Sequence, residues 1–515
     1  MVNTGRRNAL YILLLAIVVF CVYANSLKGP FLFDDEVLIK NNPLIKSVFN
    51  IPVLFKKDIF ANSATAAPIS NSYRPLQTIS YAVDHFLWGQ DTYGYHLTNV
   101  LLHIINVLLV LLIAQRLFRN AYGPYFVALL FGIHPVNTSC VSYIAGRADV
   151  LSASFMLTAL LFYMDYSKSG KMRLLLISVS AYTCAVFTKE YAIIVLPLLL
   201  FLYSAVFKRV RTGKAYAYLC YVVPLALYFP FRSQALSGLI SHNLELHGVG
   251  LFPRIFTSLK TLFIDIRILL VPFDLHFART TAVERSVFGS PYAVLTILGL
   301  AATGYLLVHA YKKSKLRDGI TYAIIFFGIS WFLLSMAPLL NIVPLQVFHA
   351  DNWLYLPSVG IYLTVVSIVT AGLQICNKRN ATVLRNLILL AVSFTLLCYG
   401  YTTFKRNQDY SDDTRFYLSN LKWRPNVKFC RVLSGIYGSR NDFDNAIKYS
   451  LRAIEINKVY PSPEVAGAYY NLGLTYMNLQ RYGEAKEAFL KVMTLSDEGL
   501  KKGASDHINF IKGKR

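Results

Sequence analysis

Charged side chains are scarce in this chain: 15% of its 515 residues, against 55% that are hydrophobic, with a mean hydropathy of +0.45. A water-soluble protein carries roughly 25% charge, so the deficit excludes a wholly soluble globular domain and points to lipid as the solvent for much of the chain. Acids are scarcer than bases, 27 against 51, which leaves a formal charge of +24. That excess reads as the basic bias of short cytoplasmic loops between apolar spans, and not as a nucleic-acid partner. Cysteine is limited to seven scattered residues with no CxxC pair, which argues against a metal framework or a disulfide scaffold. No Walker loop, HExxH run, GxSxG elbow or GxGxxG after a strand is found, so nucleotide-driven transport and metalloprotease chemistry lack direct support. Aromatics are plentiful, with 35 Tyr and 34 Phe, as expected of interfacial belts or a lined cavity.

A helix needs about 20 apolar residues to cross the hydrocarbon core. Apolar segments lie near 8–24, 97–115, 122–137, 150–166, 173–188, 190–207, 216–231, 255–272, 291–311, 320–340, 356–376 and 385–403. Gly5-Arg6-Arg7 before Ala9–Tyr23 resembles a signal peptide, but no clear small-x-small cleavage site follows, so an uncleaved first span is expected. Arg116 and Arg119, then Lys168, Lys171 and Arg173, then Lys208, Arg209, Arg211 and Lys214, fall on the side of Arg6-Arg7. Later clusters at Lys312, Lys313, Lys315 and Arg317, and at Lys378, Arg379 and Arg385, return to that side only if segment 255–272 does not cross. That segment contains Lys260, Asp265 and Arg267, which are costly in lipid. The expectation is therefore an all-α polytopic bundle of about eleven spans, in a bacterial inner membrane, with a cytoplasmic N-terminus. The C-terminus lies outside, in a periplasm or equivalent lumen. Domain boundaries are expected at 1–404 for the membrane part, with a long first external loop at 25–96, and 405–515 for the tail.

On that topology the chemistry-bearing residues gather outside. Asp34-Asp35-Glu36 follows Phe31-Leu32-Phe33 just after the first span. Carboxylates held beside apolar rings at a membrane surface are partly desolvated, which raises their pKa toward that of a useful base. Two adjacent acids could also share one divalent cation, and a solvated acidic turn is the plain alternative. Ser72-Tyr73-Arg74-Pro75-Leu76 opens an aromatic stretch ending in Trp88-Gly89 and, with Ile51–Phe60, reads as an interfacial helix. Gly132-Ile133-His134-Pro135-Val136 and Ala145-Gly146-Arg147-Ala148-Asp149 flank a short loop. Arg147 suits a phosphate or carboxylate clamp, or pairs with Asp149. Thr188-Lys189-Glu190 interrupts two spans, either as a site or as a hairpin with a local ion pair. Arg232, His349, Asp351 and Trp353 complete the set.

Beyond Lys405 charge rises and long apolar runs stop. Leu433, Tyr437, Phe443, Ala446 and Ala453 fit the tetratricopeptide helix pair, and Leu472, Gly473, Tyr476, Tyr482, Ala485 and Phe489 fit it again. The two units are separated by a short insertion at Val459–Glu464. Such arrays present a concave surface for peptides or proteins.

Taken together the motifs resemble a known family. Phe33-Asp34-Asp35, Tyr73-Arg74-Pro75-Leu76, Gly94-Tyr95-His96-Leu97-Thr98-Asn99, His134-Pro135-Val136, Gly146-Arg147-Ala148-Asp149-Val150-Leu151, Lys189-Glu190 and Leu354-Tyr355-Leu356-Pro357-Ser358 follow in order. They are similar to those of the transmembrane-and-tetratricopeptide-repeat protein O-mannosyltransferases and their bacterial relatives, within the GT-C superfamily of membrane glycosyltransferases. The resemblance implies a sugar taken from a polyprenyl phosphate and moved to an acceptor on the external side. It implies an Asp base early in the first external loop, carried by Asp34 or Asp35 without a choice between them. Two departures stand out. Asn352 follows Asp351 where relatives carry Arg, and Tyr410 stands where relatives show Trp.

The expected reaction is a single displacement with inversion at the anomeric carbon, with a lipid phosphate as leaving group stabilised by Arg147, Lys189 and Arg232. Glu36, Arg74, His134, Asp149, Glu190, His349 and Asp351 are further site candidates. The expected partners are a polyprenyl-phosphate-linked sugar, membrane lipid, and a protein or peptide acceptor gripped by the repeats, with a Ser/Thr hydroxyl as the receiving group. Cofactor use stays open, a divalent cation at Asp34 and Asp35 included. Two other readings compete: a non-catalytic scaffold recruiting partners through the repeats, and a transporter of polyprenyl-linked glycans, which calls for charges buried mid-span.

Overall fold

The computed structural model describes residues 2–60, 72–207, 215–236, 249–277, 279, 283, 291–316, 319–341, 345, 349–423, 425–495 and 498–513. Of the expected basic clusters, Lys208, Arg209, Arg211, Lys214 and Arg317 lie outside these residues. The described elements are helical, with no β-strand among them. By compactness the chain falls into two units, Met1–Ser411 and Asp412–Arg515.

The first unit contains α1 (Val2–Tyr23), α2 (Pro75–Trp88), α3 (Thr92–Leu117), α4 (Gly123–Ile133), α5 (Arg147–Ser169), α6 (Met172–Thr188), α7 (Ala192–Phe207), α8 (Val223–Ala235), α9 (Leu251–Leu270), α10 (Pro291–Ser314), α11 (Ile320–Met336), α12 (Pro357–Lys378) and α13 (Thr382–Asn407). Among the described residues seven helical stretches are long and apolar enough to cross a membrane, and α4, α6 and α7 are shorter apolar helices. The protein is an integral membrane protein built as a helix bundle. The segment near 216–231 is broken into Ala215–Leu219 and α8, where Pro224 sits at the first turn of the second piece. α9 is not among the seven; Arg254, Lys260, Asp265 and Arg267 run along its length.

α2 is polar inside and apolar outside. Gln77, Tyr81 and Asp84 are buried, whereas Val83, Phe86 and Leu87 are exposed. This inversion suits a helix lying at a lipid surface with its polar face turned into protein. α3 has a second inversion. His96, Asn99, His103 and Asn106 form one buried stripe at the spacing of a helix face. The stripe satisfies carbonyls that helix ends and turns leave open. Asn99 donates to the Tyr143 carbonyl at 3.1 Å and Asn106 to that of Val150 at 2.9 Å. His103 Nε2 lies 3.0 Å from the Gly132 carbonyl and its Nδ1 2.6 Å from the Tyr355 hydroxyl. A neutral imidazole donates on one side and accepts on the other, so this histidine joins α4 to the Leu-Tyr-Leu-Pro-Ser segment. α11 and α12 meet at Gly328 and Gly360: a Cβ on Gly328 would lie 2.5 Å from the Gly360 carbonyl oxygen, the close approach that small residues permit between membrane helices.

The second unit contains α14 (Asp413–Leu421), α15 (Val427–Ser439), α16 (Phe443–Val459), α17 (Val465–Asn478), α18 (Tyr482–Met493) and α19 (Glu498–Gly513). α15–α16 and α17–α18 are the two expected pairs, and the chain between them, from Tyr460 to Glu464, is the expected insertion. Gly473 faces the Phe489 ring across the second pair, with 2.7 Å left for a Cβ. α19 closes the array by burying Ala504, Ile508 and Ile511, and the His507 ring stacks on Phe489 at 5.0 Å.

Candidate active site

The acidic run after α1 forms a corner. Phe33 takes φ +48°, a left-handed conformation that costs a bulky residue on the order of 1–3 kcal/mol. Asp35 holds the corner closed. Its buried carboxylate accepts the Leu32 N–H at 3.0 Å on one oxygen and the Ala145 N–H at 2.8 Å on the other. The second bond ties the corner to the turn that precedes α5. Burial pushes the Asp35 carboxyl well above its ordinary range; the two amides and Arg147 pull it down in part, while Asp34 adds to the rise.

Asp34 is half-buried, and its N–H donates to the Tyr143 hydroxyl at 3.1 Å. The Phe277 ring packs edge-on against both Phe33, at 5.8 Å, and Tyr143, at 5.0 Å. Glu36 is exposed and pairs with Lys40 at 3.3 Å. The three acids are thus separated by environment. One is sequestered by amides, one lies among aromatic rings with partial access, and one is solvated.

The phosphate-clamp expectation for Arg147 does not fit its geometry. Its side chain is fully buried on the Tyr81 ring, 4.8 Å from the centroid. It pairs with Asp84 at 2.5 Å and donates to Asn99 at 2.7 Å and to the Tyr95 carbonyl at 2.8 Å. Nor does it pair with Asp149, two residues on. Asp149 receives Lys189 at 2.5 Å and Asn352 at 2.8 Å. Asn352 therefore meets Asp149 through an amide, at the position where the resemblance expects a guanidinium. Glu190 turns elsewhere. It accepts the Tyr73 N–H at 2.9 Å and Arg74 Nε at 3.1 Å. The Thr188-Lys189-Glu190 turn therefore contains no local ion pair; it sends its two charges to different elements.

Exposure ranks these pairs. Arg147–Asp84 is closed to solvent, Lys189–Asp149 is under a tenth exposed, and Arg74–Glu190 is a quarter exposed on each side. Removing one partner of a buried pair costs about 3–5 kcal/mol, whereas an exposed pair is worth about 0–1 kcal/mol. Arg232 on α8 is half-buried and interacts with Tyr228, which also faces Glu190 and Arg74.

The remaining candidates lie inside and do not present a reactive face. Asp351 is fully buried between Arg279 at 2.5 Å and Arg406 at 3.5 Å, and accepts the His276 N–H at 3.0 Å. Burial alone would raise its pKa, but the two guanidinium groups outweigh it and hold the carboxyl at about 2. His349 pairs with Asp265 of α9 at 2.5 Å, and both are buried. His134 is buried between the Tyr362 and Tyr399 rings. His134, His349 and Asp351 each tie separate segments of the chain together.

Asp84, Arg279, Arg406, Asp265 and Tyr143 were not foreseen. Asp84 had a readable signal: with Gln77 and Tyr81 it makes a polar face at helical spacing on an otherwise apolar helix. Arg279 and Arg406 had none, because their partner Asp351 is remote in sequence. Each Asp35 oxygen accepts one amide N–H, and among the described residues no three acidic, histidine or cysteine side chains gather as a ligand set.

An integral membrane helix bundle with a loop-built polar site and a tetratricopeptide tail is the class these features define. A family model described as dolichyl-phosphate-mannose-protein mannosyltransferase matches residues 80–233, and a tetratricopeptide repeat model matches 430–460 and 466–498. The human protein O-mannosyl-transferase TMTC3 is 25% identical over 525 residues, covering 94% of this chain and 54% of that protein. The Drosophila melanogaster protein O-mannosyl-transferase Tmtc3 is 24% identical over 579 residues, covering 98% and 61%. A structural likeness to ArnT from Cupriavidus metallidurans bound to undecaprenyl phosphate covers 95% of this chain and 81% of that one, at a TM-score of 0.41 and 13% identity. The chain is a relative of the transmembrane-and-tetratricopeptide-repeat protein O-mannosyltransferases. It spans about half the length of the human and mouse relatives it matches.

Proposed function

We propose that this protein is a membrane glycosyltransferase that moves mannose or another hexose from a polyprenyl phosphate to an acceptor hydroxyl, a protein Ser or Thr, with inversion. In this reading residues 1–404 are the transferase domain and residues 405–515 grip the acceptor. The site faces the periplasm or an equivalent lumen, and the N-terminus is cytoplasmic. The observation that carries the reading is the division of labour in the acidic corner. Asp35 gives each oxygen to an amide inside the protein, whereas Asp34 is half-buried beside Tyr143 with partial access, and Asp34 is assigned as the base.

The acceptor oxygen attacks the anomeric carbon while the bond from that carbon to the phosphate oxygen breaks. The hydroxyl proton passes to the Asp34 carboxylate, and the lipid phosphate leaves with the bonding electrons as a dianion. Arg232, half-buried on α8, favours this departure directly, and Lys189, closed into its pair with Asp149, contributes through its field, worth most where water is excluded. Asp149, already shared between Lys189 and Asn352, fixes the Lys189 ammonium in position. No covalent intermediate and no nucleotide sugar is required.

The test is transfer by purified full-length protein from a labelled polyprenyl-phosphate mannose to Ser/Thr peptides, with nucleotide-activated mannose as the parallel donor. The expected product is an α-mannosyl peptide from a β-linked lipid donor, with none from the nucleotide sugar. Retained anomeric configuration, or equal use of the nucleotide sugar, contradicts the proposal.

A further inference from the structure

We propose that Arg74 is a donor-phosphate ligand that Glu190 keeps occupied while the site is empty; this rests on the transferase reading above. Three observations meet at this residue. First, Arg74 engages Glu190 through Nε alone, at 3.1 Å, and its terminal nitrogens make no other hydrogen bond among the described residues. A guanidinium used at one nitrogen retains the fork that binds phosphate through two parallel bonds. Second, the pair is a quarter exposed on both sides, while Arg147–Asp84 and Lys189–Asp149 are closed or nearly so. Unlike Arg147 and Lys189, Arg74 can be left by its carboxylate without stranding a fully buried charge. Third, Glu190 stays tethered when the pair opens, because its other oxygen accepts the Tyr73 N–H at 2.9 Å.

The surroundings suit an incoming anion. Arg74 precedes Pro75 at the start of α2, the positive end of that helix's dipole, which favours negative charge. Arg74 also lines a narrow cleft with Asn42, Leu44, Lys57, Asp58 and Thr78, so a second cation faces the same opening. Tyr228 joins this group to Arg232. Glu190 then acts as a stand-in for phosphate: it holds the guanidinium in place until a phosphate monoester or diester exchanges with it. The exchange is neutral in count, one anion for another, and it makes donor affinity depend on how tightly Glu190 competes.

The experiment measures binding of farnesyl phosphate to the detergent-purified full chain, with inorganic phosphate and phosphatidylglycerol as separate arms. Arg74→Gln is expected to weaken farnesyl phosphate binding about tenfold, the scale of one charge-assisted bond. Arg74→Lys recovers part of the loss, and Glu190→Gln tightens binding. The exchanged pair Arg74→Glu with Glu190→Arg keeps the ion pair but reverses its direction, and is expected to bind as weakly as Arg74→Gln. Wild-type affinity in the exchanged pair, weakened binding in Glu190→Gln, or no change in any variant overturns the proposal. So does equal affinity for phosphatidylglycerol or for inorganic phosphate, which would make the site a general anion site. Asp34→Asn should bind farnesyl phosphate normally, so a failure of the base assignment is seen in transfer and not in this measurement.

Discussion

Asp34 and Asp35 are adjacent and chemically identical, and only their surroundings distinguish them. Nothing in the sequence selects one, because the deciding partner of Asp35, the Ala145 amide, comes from a turn 110 residues further along the chain. The same distance hides the role of Arg147. Its motif suggests a ligand clamp, but Asp84 converts it to an internal pin. Replacing Arg147 with Met should destabilise the folded protein by about 3–5 kcal/mol, the cost of leaving Asp84 buried and unpaired; a detergent-based unfolding assay reads it, and an Asp84→Leu, Arg147→Met pair should recover much of the loss. Asp351 gives a pH signature. Its carboxyl titrates at about 2 in the folded state, below its ordinary value near 3.8. A lowered carboxyl contributes stability that is complete above its ordinary pKa and is lost as pH falls through the folded one. Unfolding measured between about pH 4 and 2 should therefore steepen in the wild type and be flatter in Asp351→Asn, which starts less stable because Arg279 and Arg406 lose their partner.

The helices themselves were largely legible. Most of the segments expected to span coincide with a helix, except that 216–231 is broken into two short pieces; seven helical stretches are long and apolar enough to cross, and the charged segment 255–272 overlaps α9, whose Asp265 is buried against His349. Apolar length and basic punctuation carry that information locally. Polar stripes are harder to read, since His96, Asn99, His103 and Asn106 look like ordinary span residues until the carbonyls they satisfy are in place. The stripe is made of histidines and amides and serves helix ends and turns, which gives a transporter reading no chain of buried mid-span charges along α3. Helix contact at Gly328 and Gly360 is set by glycine alone. A Gly360→Leu variant would drive its side chain into the Gly328 backbone, with the Phe332 amide nitrogen 2.8 Å away as well. It should lower stability by at least about 1–3 kcal/mol, seen as a reduced thermal midpoint in detergent, whereas Gly372→Leu, where a Cβ meets open space, should leave the midpoint unchanged.

At the scale of the molecule, the scarcity of charge makes each charged residue informative. The bundle exposes many large apolar side chains around a buried core and commits its few buried ions to tying segments together: Arg147 joins α2 to α5, Lys189 joins α6 to α5, and Arg279 and Arg406 hold the loop before α12. What those ties leave accessible is the Asp34 corner and the Arg74–Glu190 pair. A non-catalytic scaffold would need the repeats but not that corner. The most direct measurement is therefore the turnover of labelled polyprenyl-phosphate mannose by Asp34→Asn and Asp35→Asn proteins that retain wild-type farnesyl phosphate binding. The account predicts turnover lowered at least about a hundredfold in Asp34→Asn, the scale of a lost general base, and a smaller loss in Asp35→Asn, whose amide can still accept one of the two N–H bonds. Undiminished transfer by Asp34→Asn would contradict it.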